Sequence, residues 1–108
     1  MKTLYTAHVT TIAGREGQSQ TDDNQLSIKL SKPGSNKPGV NPEQLFAMGY
    51  SACFGGAIEV AAQQHNVKIT ASKINAEVNL NQDDKGYFIS AKLNIRPLAK
   101  HHQPFQLR

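Results

Sequence analysis

From Asn41 to Asn66 the chain reads NPEQLFAMGYSACFGGAIEVAAQQHN, the longest apolar run of its 108 residues and the home of its single cysteine, Cys53. The start of a helix is well marked here. Asn41 can cap the first turn, Pro42 suits the first helical position, and Gln44 stands where a capping-box partner belongs. From Leu45 to Ala62 only Ser51 and Glu59 are strongly polar. At helical spacing Leu45, Gly49, Ala52, Cys53, Gly56 and Val60 share one face, and Phe46, Tyr50, Phe54, Ala57 and Ala61 cover the adjoining one. A helix that is apolar nearly all round is expected to be buried on all sides. A chain this short has little mass with which to surround it, so a second copy is expected to cover part of it.

The segments on either side read as strands. Leu4–Ile12 is rich in Thr, Val and Tyr. Gly14-Arg15-Glu16-Gly17 is a turn, Gln18–Thr21 a short polar strand, and Asp22-Asp23-Asn24 a second turn. Gln25–Ser31 alternates, with Leu26, Ile28 and Leu30 inward. Together they predict an antiparallel meander. Lys32–Val40, KPGSNKPGV, is a loop by composition and reads as a connector rather than a lid. Beyond the helix, Val67–Leu80 and Tyr87–Ile95 predict a hairpin around Asp83-Asp84-Lys85-Gly86, with a loop slightly longer than the tightest type. Ile74, Ala76, Val78 and Leu80 face inward on one strand, and Ile89, Ala91, Leu93 and Ile95 on the other. After Ile95, RPLAKHHQPFQLR has neither period and reads as an irregular tail.

Composition sets bounds. The length suits one domain. One cysteine forms no intrachain disulfide, and the N-terminus MKTLYTAHVT has no apolar stretch long enough for a signal peptide. The glycines, Glu59 and glutamines of Asn41–Asn66 suit a helix packed in protein better than one in a bilayer. A cytoplasmic protein is expected. The net charge is +4, without a basic stripe interleaved with aromatics, which argues against nucleic acid. His65, His101 and His102 have no metal-ligand spacing with Cys53, and no histidine is singled out as the base of a hydrolase.

The run NPEQLFAMGYSACF, with GREG near the N-terminus, resembles the OsmC/Ohr family of organic hydroperoxide resistance proteins. The opening MKTLYTA, the Asp22-Asp23 turn and Leu26–Leu30 are similar to it too. The likeness runs over residues 1–95, and 96–108 stand outside it. It implies an α+β fold, an antiparallel sheet packed on a central buried helix, in an intertwined homodimer. It also implies a thiol-dependent peroxidase (an oxidoreductase of the oxidative stress response) that reduces organic hydroperoxides through a cysteine sulfenic acid. The external reductant would be a dithiol, typically a lipoyl group, with no bound cofactor. Members of the family carry a second cysteine near the C-terminus, and this chain has none. A non-enzymatic dimerising or small-molecule-binding domain of the same fold is the alternative.

Three residues are carried over from the resemblance as catalytic. Cys53, in Ser51-Ala52-Cys53-Phe54, is the peroxide-attacking thiol. Arg15 is the arginine of the Gly-Arg-Glu-Gly turn, and Glu43 the glutamate of Asn-Pro-Glu-Gln. A guanidinium favours a thiolate and can donate to a peroxide oxygen, and a carboxylate can fix the guanidinium. Taken alone, each has a plainer role: an inert core thiol, a solvated turn charge, and an acid at a helix N-terminus. Phe46, Met48, Tyr50 and Phe54 are expected to line a site for a greasy alkyl or acyl peroxide. Glu43 and Cys53 are ten positions apart, about 15 Å along a straight helix and roughly 80° around it. A direct network therefore requires either a helix broken near Gly49, which is the favoured expectation, or a meeting of Glu43 and Cys53 from different subunits.

Overall fold

The computed structural model describes residues 1–69 and 71–98. The chain divides into two compact units, Met1–Leu45 and the part from Phe46 onward.

The first unit is the expected meander. Strands β1 (Val9–Ile12), β2 (Gln18–Thr21) and β3 (Ser27–Lys29) form an antiparallel sheet in the order β1-β2-β3. Val9 pairs with Thr21, Ile12 with Gln18 and Ser19 with Ile28. The first strand is shorter than the sequence suggests, because residues 1–8 extend past the last partner that β2 offers. Between β1 and β2 the chain makes a single 3-10 turn, Gly14–Glu16. Between β2 and β3 the Asp23 carboxylate accepts from the Gln25 N–H and the Thr21 hydroxyl, which lowers its pKa.

The loop after β3 is pinned at its base. The Leu30 N–H donates to the Gly17 carbonyl, the Val40 N–H to Lys29, and the Ser31 N–H to Val40, at 2.9–3.0 Å. Residues 29–31 are thereby clamped between the end of the GREG turn and the segment that leads into the helix. Leu30 and Ser31, at its centre, are the only buried residues among those described.

Helix α1 (Pro42–Gln64) begins and ends as local chemistry dictates. The Gln44 N–H donates to Asn41 Oδ1 at 2.8 Å and the Asn41 N–H to Gln44 Oε1 at 2.9 Å, the reciprocal capping box read from the sequence. At the other end Asn66 takes a left-handed φ of 56°. The Val67 N–H reaches back to Ala62 and the Asn66 N–H to Gln63, which is the Schellman pattern.

One expectation for this helix is corrected. It does not break at Gly49 but runs unbroken for 23 residues. Glycine costs a helix interior only about 1 kcal/mol relative to alanine, and the flanking residues are good helix formers. In the single chain no residue of α1 is buried. In the second unit only the stripe Ala47, Ser51, Phe54, Gly55, Ile58 and Ala62 is half-covered. The physical reason is the size of what covers it. A single two-stranded hairpin, β4 (Ala71–Asp83) with β5 (Gly86–Leu98), can screen one face of a helix and no more. By length and composition α1 would also span a bilayer, with mean hydropathy 1.4 over 18 residues. Its half-covered stripe, glycines and Glu59 suit packing on protein.

The hairpin differs from the sequence reading at both ends. Asp83 pairs with Gly86, so its loop is the tightest kind, Asp84-Lys85, with the Lys85 N–H on Asp83 Oδ1. Gly86, at φ 127°, supplies a conformation that other residues rarely adopt. At the open end β5 runs on to Leu98, opposite Ala71, so Arg96–Leu98 are strand where an irregular tail is expected. The remainder of that tail, residues 99–108, lies outside the described residues, as do His101 and His102. Ile74, Ala76 and Val78 are half-buried as their alternation requires, whereas Leu80, Ile89 and Ile95 are 48%, 50% and 42% exposed.

Candidate active site

In the first unit, Arg15 and Glu43 are brought together from 28 positions apart. Arg15 Nη2 donates to both carboxylate oxygens of Glu43, at 2.6 and 2.7 Å. The clamp explains the meeting. Arg15 lies two residues before Gly17, one edge of the clamp, and Glu43 lies three residues after Val40, the other edge. The turn that carries Arg15 is held in an uncommon shape, with Ala13 and Gly14 both left-handed at φ 65° and 58°. Neither residue's partner could be named from its own segment, since the link depends on β3 passing between them.

The carboxylate of Glu43 is well covered, its side chain 11% exposed, while that of Arg15 is 40% exposed. The hydrogen bond from Arg15 holds the Glu43 carboxyl below its usual pKa, against the opposing effect of its desolvation. Among the described residues, Arg15 Nη1 and Nε donate to nothing. The pair therefore leaves guanidinium donors aimed elsewhere, on a cation that Glu43 orients.

This pair predicts an acid effect of definite sign. A carboxylate whose folded-state pKa is lowered stabilises the fold fully above its unfolded value, about 4.3. That stability is lost as the pH falls through the lower, folded-state value. Glu43→Gln should therefore cost roughly 0.2–1 kcal/mol near pH 7, a small figure because Arg15 is exposed, and nothing near pH 2. Urea midpoints of the two proteins across this range check it. Midpoints differing equally at every pH would show that the ion pair is not the cause.

In the second unit, Cys53 is exposed on α1 and forms no disulfide. Phe46 and Tyr50, seven and three residues before it, lie on the same stripe of the helix. Their rings pack at 5.6 Å between centroids, tilted by 45°, and both remain exposed. Phe54 belongs instead to the half-covered stripe that faces the hairpin. Met48 is turned about 140° from Cys53 on the unbroken helix. Of the four expected lining residues, Phe46 and Tyr50 thus share the cysteine's side, and Phe54 and Met48 do not. Ser51, read from the sequence only as a polar interruption, returns its hydroxyl to the Ala47 carbonyl at 2.7 Å and is spent within the helix.

Comparison with known proteins bears on this arrangement. The profile of the family described as OsmC-like protein matches residues 33–104. An organic hydroperoxide resistance protein of Xanthomonas axonopodis pv. citri (strain 306) is 43% identical over 99 residues, covering 87% of this chain and 70% of that protein. The organic hydroperoxide resistance protein OhrB of Bacillus subtilis (strain 168) is 44% identical over 97 residues, covering 85% and 71%. The crystal structure of Bacillus subtilis OhrB superposes with a TM-score of 0.81 at 39% identity, covering 94% of this chain and 76% of that one. A Legionella pneumophila organic hydroperoxide resistance protein gives a TM-score of 0.79 at 35% identity, covering 87% and 72%. By profile, by sequence identity over most of its length and by fold, the chain belongs to the OsmC-like protein family.

Proposed function

We propose that the chain is a thiol peroxidase that reduces organic hydroperoxides in the cytoplasm, with Cys53 as the nucleophile. The observation that supports this most is the Arg15–Glu43 pair: an oriented, partly exposed guanidinium with donors to spare, in a chain that also exposes a lone cysteine on an apolar helix. The Cys53 thiolate attacks one oxygen of the peroxide and the O–O bond breaks. The sulfur becomes a sulfenic acid, oxidised by two electrons, and the other oxygen leaves as an alkoxide that takes a proton to become the alcohol. Arg15 favours the thiolate and donates to the departing oxygen, and Glu43 holds Arg15 in place. Phe46 and Tyr50 form an apolar wall that suits an alkyl or acyl chain. An external dithiol, a lipoyl group being the best match, then reduces the sulfenic acid.

We infer that the site is shared by two subunits, Cys53 of one meeting Arg15 and Glu43 of the other. The large apolar surface left open supports a homodimer. Ile12, Val60, Tyr87 and Ile89, for example, are 70%, 55%, 73% and 50% exposed.

The test is a single-turnover assay with an organic hydroperoxide and no reductant. One peroxide should be consumed per chain with loss of one titratable thiol, because no second cysteine is present to form an intrachain disulfide. A lipoyl dithiol should restore the thiol and further cycles, with over-oxidation to sulfinic acid as the competing fate. Peroxide consumption by Cys53→Ser at the parent rate would exclude the mechanism. Oxidation of Cys53 that no dithiol reverses would favour a non-enzymatic binding domain of the same fold.

A further inference from the structure

The outer face of the β4–β5 hairpin holds a feature that the peroxidase reading does not use. Register sets Lys73 directly opposite Arg96, and Asn75 directly opposite Asn94 in the next row of the same face. Opposed Cβ atoms in such a ladder lie about 5 Å apart, and successive rows on one face about 7 Å. The two cations and two side-chain amides therefore converge on one small patch, and the four residues line a shallow hollow of about 270 Å³.

Like charges directly opposite on a sheet destabilise it. Nothing described on this face relieves them. On this face the next carboxylate is Glu77, two rows along, which register places opposite Lys92; from α1, Glu59 lines a separate hollow together with Lys73 and Asn75. Among the described residues neither Lys73 nor Arg96 takes part in an ion pair. The face carries three cations, Lys73, Lys92 and Arg96, against two carboxylates, Glu77 and Asp83, and neither carboxylate shares the row of Lys73 and Arg96. Arginine supplies a planar fork of donors, lysine a compact charge, and the two amides further N–H donors. This set matches a tetrahedral oxyanion that carries more than one negative charge.

We propose that Lys73, Arg96, Asn75 and Asn94 bind a phosphate group, as free phosphate, on a small phosphomonoester or on a lipid head group. Binding removes the repulsion between Lys73 and Arg96 and cross-links the open end of the hairpin.

The test is a titration of the full chain with inorganic phosphate, followed by the NMR shifts of backbone amides and matched in ionic strength by sodium chloride. Saturable shifts should centre on Lys73, Asn75, Asn94 and Arg96. Lys73→Gln or Arg96→Gln should each weaken binding about fivefold, the scale of one exposed charge contact. Lys92→Gln, two rows away, should leave it unchanged. Sedimentation with phosphatidic acid-containing vesicles, against pure phosphatidylcholine, separates a lipid source from a soluble one. Capture by the anionic vesicles only, lost in Lys73→Gln, would assign the phosphate to a head group. Shifts no larger than those from chloride, with no vesicle capture, would overturn the site. Equal weakening by Lys92→Gln would overturn it too, since diffuse charge rather than this row would then be responsible.

Discussion

Replacing Arg15 by lysine is expected to slow the reduction of an organic hydroperoxide about a hundredfold, the usual cost of one donor that acts on developing negative charge. Lysine keeps the charge. It cannot keep the geometry in which one guanidinium nitrogen binds both oxygens of Glu43 while the others remain free. Because the pair is partly exposed, the urea midpoint should move little, and the loss belongs to rate rather than folding. The same pair tests the two-subunit site. Cys53→Ser and Arg15→Ala are each expected to be inactive alone. When the two chains are mixed under conditions that exchange subunits, a hybrid dimer carries one intact site, with Cys53 from one chain and Arg15 from the other. Random pairing should then restore about a quarter of the parent activity. No recovery, with hybrids demonstrated by mass, would place the whole site within one chain or remove Arg15 from it. A parent rate for Arg15→Lys would remove the donor role.

Gly17→Ala is expected to destabilise the chain by about 3 kcal/mol, at the upper end of ordinary point substitutions. A Cβ at this position would stand 1.7 Å from the Ile12 carbonyl oxygen and 2.7 Å from its carbon, both backbone atoms that cannot swing aside. The Gly17 carbonyl is also the acceptor for Leu30, so any shift of this residue opens the clamp. Opening the clamp separates the GREG turn from the entry to α1. Activity should therefore fall along with stability, unlike the separate losses expected of Arg15→Lys. Gly14→Ala is the control. Its Cβ would meet nothing within 4 Å, and the cost is confined to a left-handed φ of 58°. Circular dichroism melts of the three proteins would decide, and a Gly17→Ala chain as stable as Gly14→Ala would refute the clash.

What was legible in the sequence is what short-range chemistry controls. The capping box of Asn41 and Gln44, the meander, the alternation of Ile74, Ala76 and Val78, and the pairing of the two long strands follow from residues near one another in the chain. The family resemblance rests on the same local runs, and profile and relatives bear it out. The helix does not break at Gly49, because the local cost of one glycine is too small to stop a helix, and the demand for a compact site is not a local signal. The strand runs on to Leu98 although neither Arg96 nor Pro97 signals a strand, because pairing with Ser72 and Lys73 overrides that preference.

The sequence by itself determined the elements, their order and the family, since caps, periods and turns act over a few residues. Only the tertiary structure decided that Arg15 meets Glu43, because that contact is made by backbone hydrogen bonds from Gly17 through Leu30 to Val40, across segments far apart in the chain. It also decided which faces of α1 are covered. A helix apolar on every side carries no mark of which stripe its own hairpin will take, and the hairpin, two strands wide, takes one and leaves the stripe of Cys53 open.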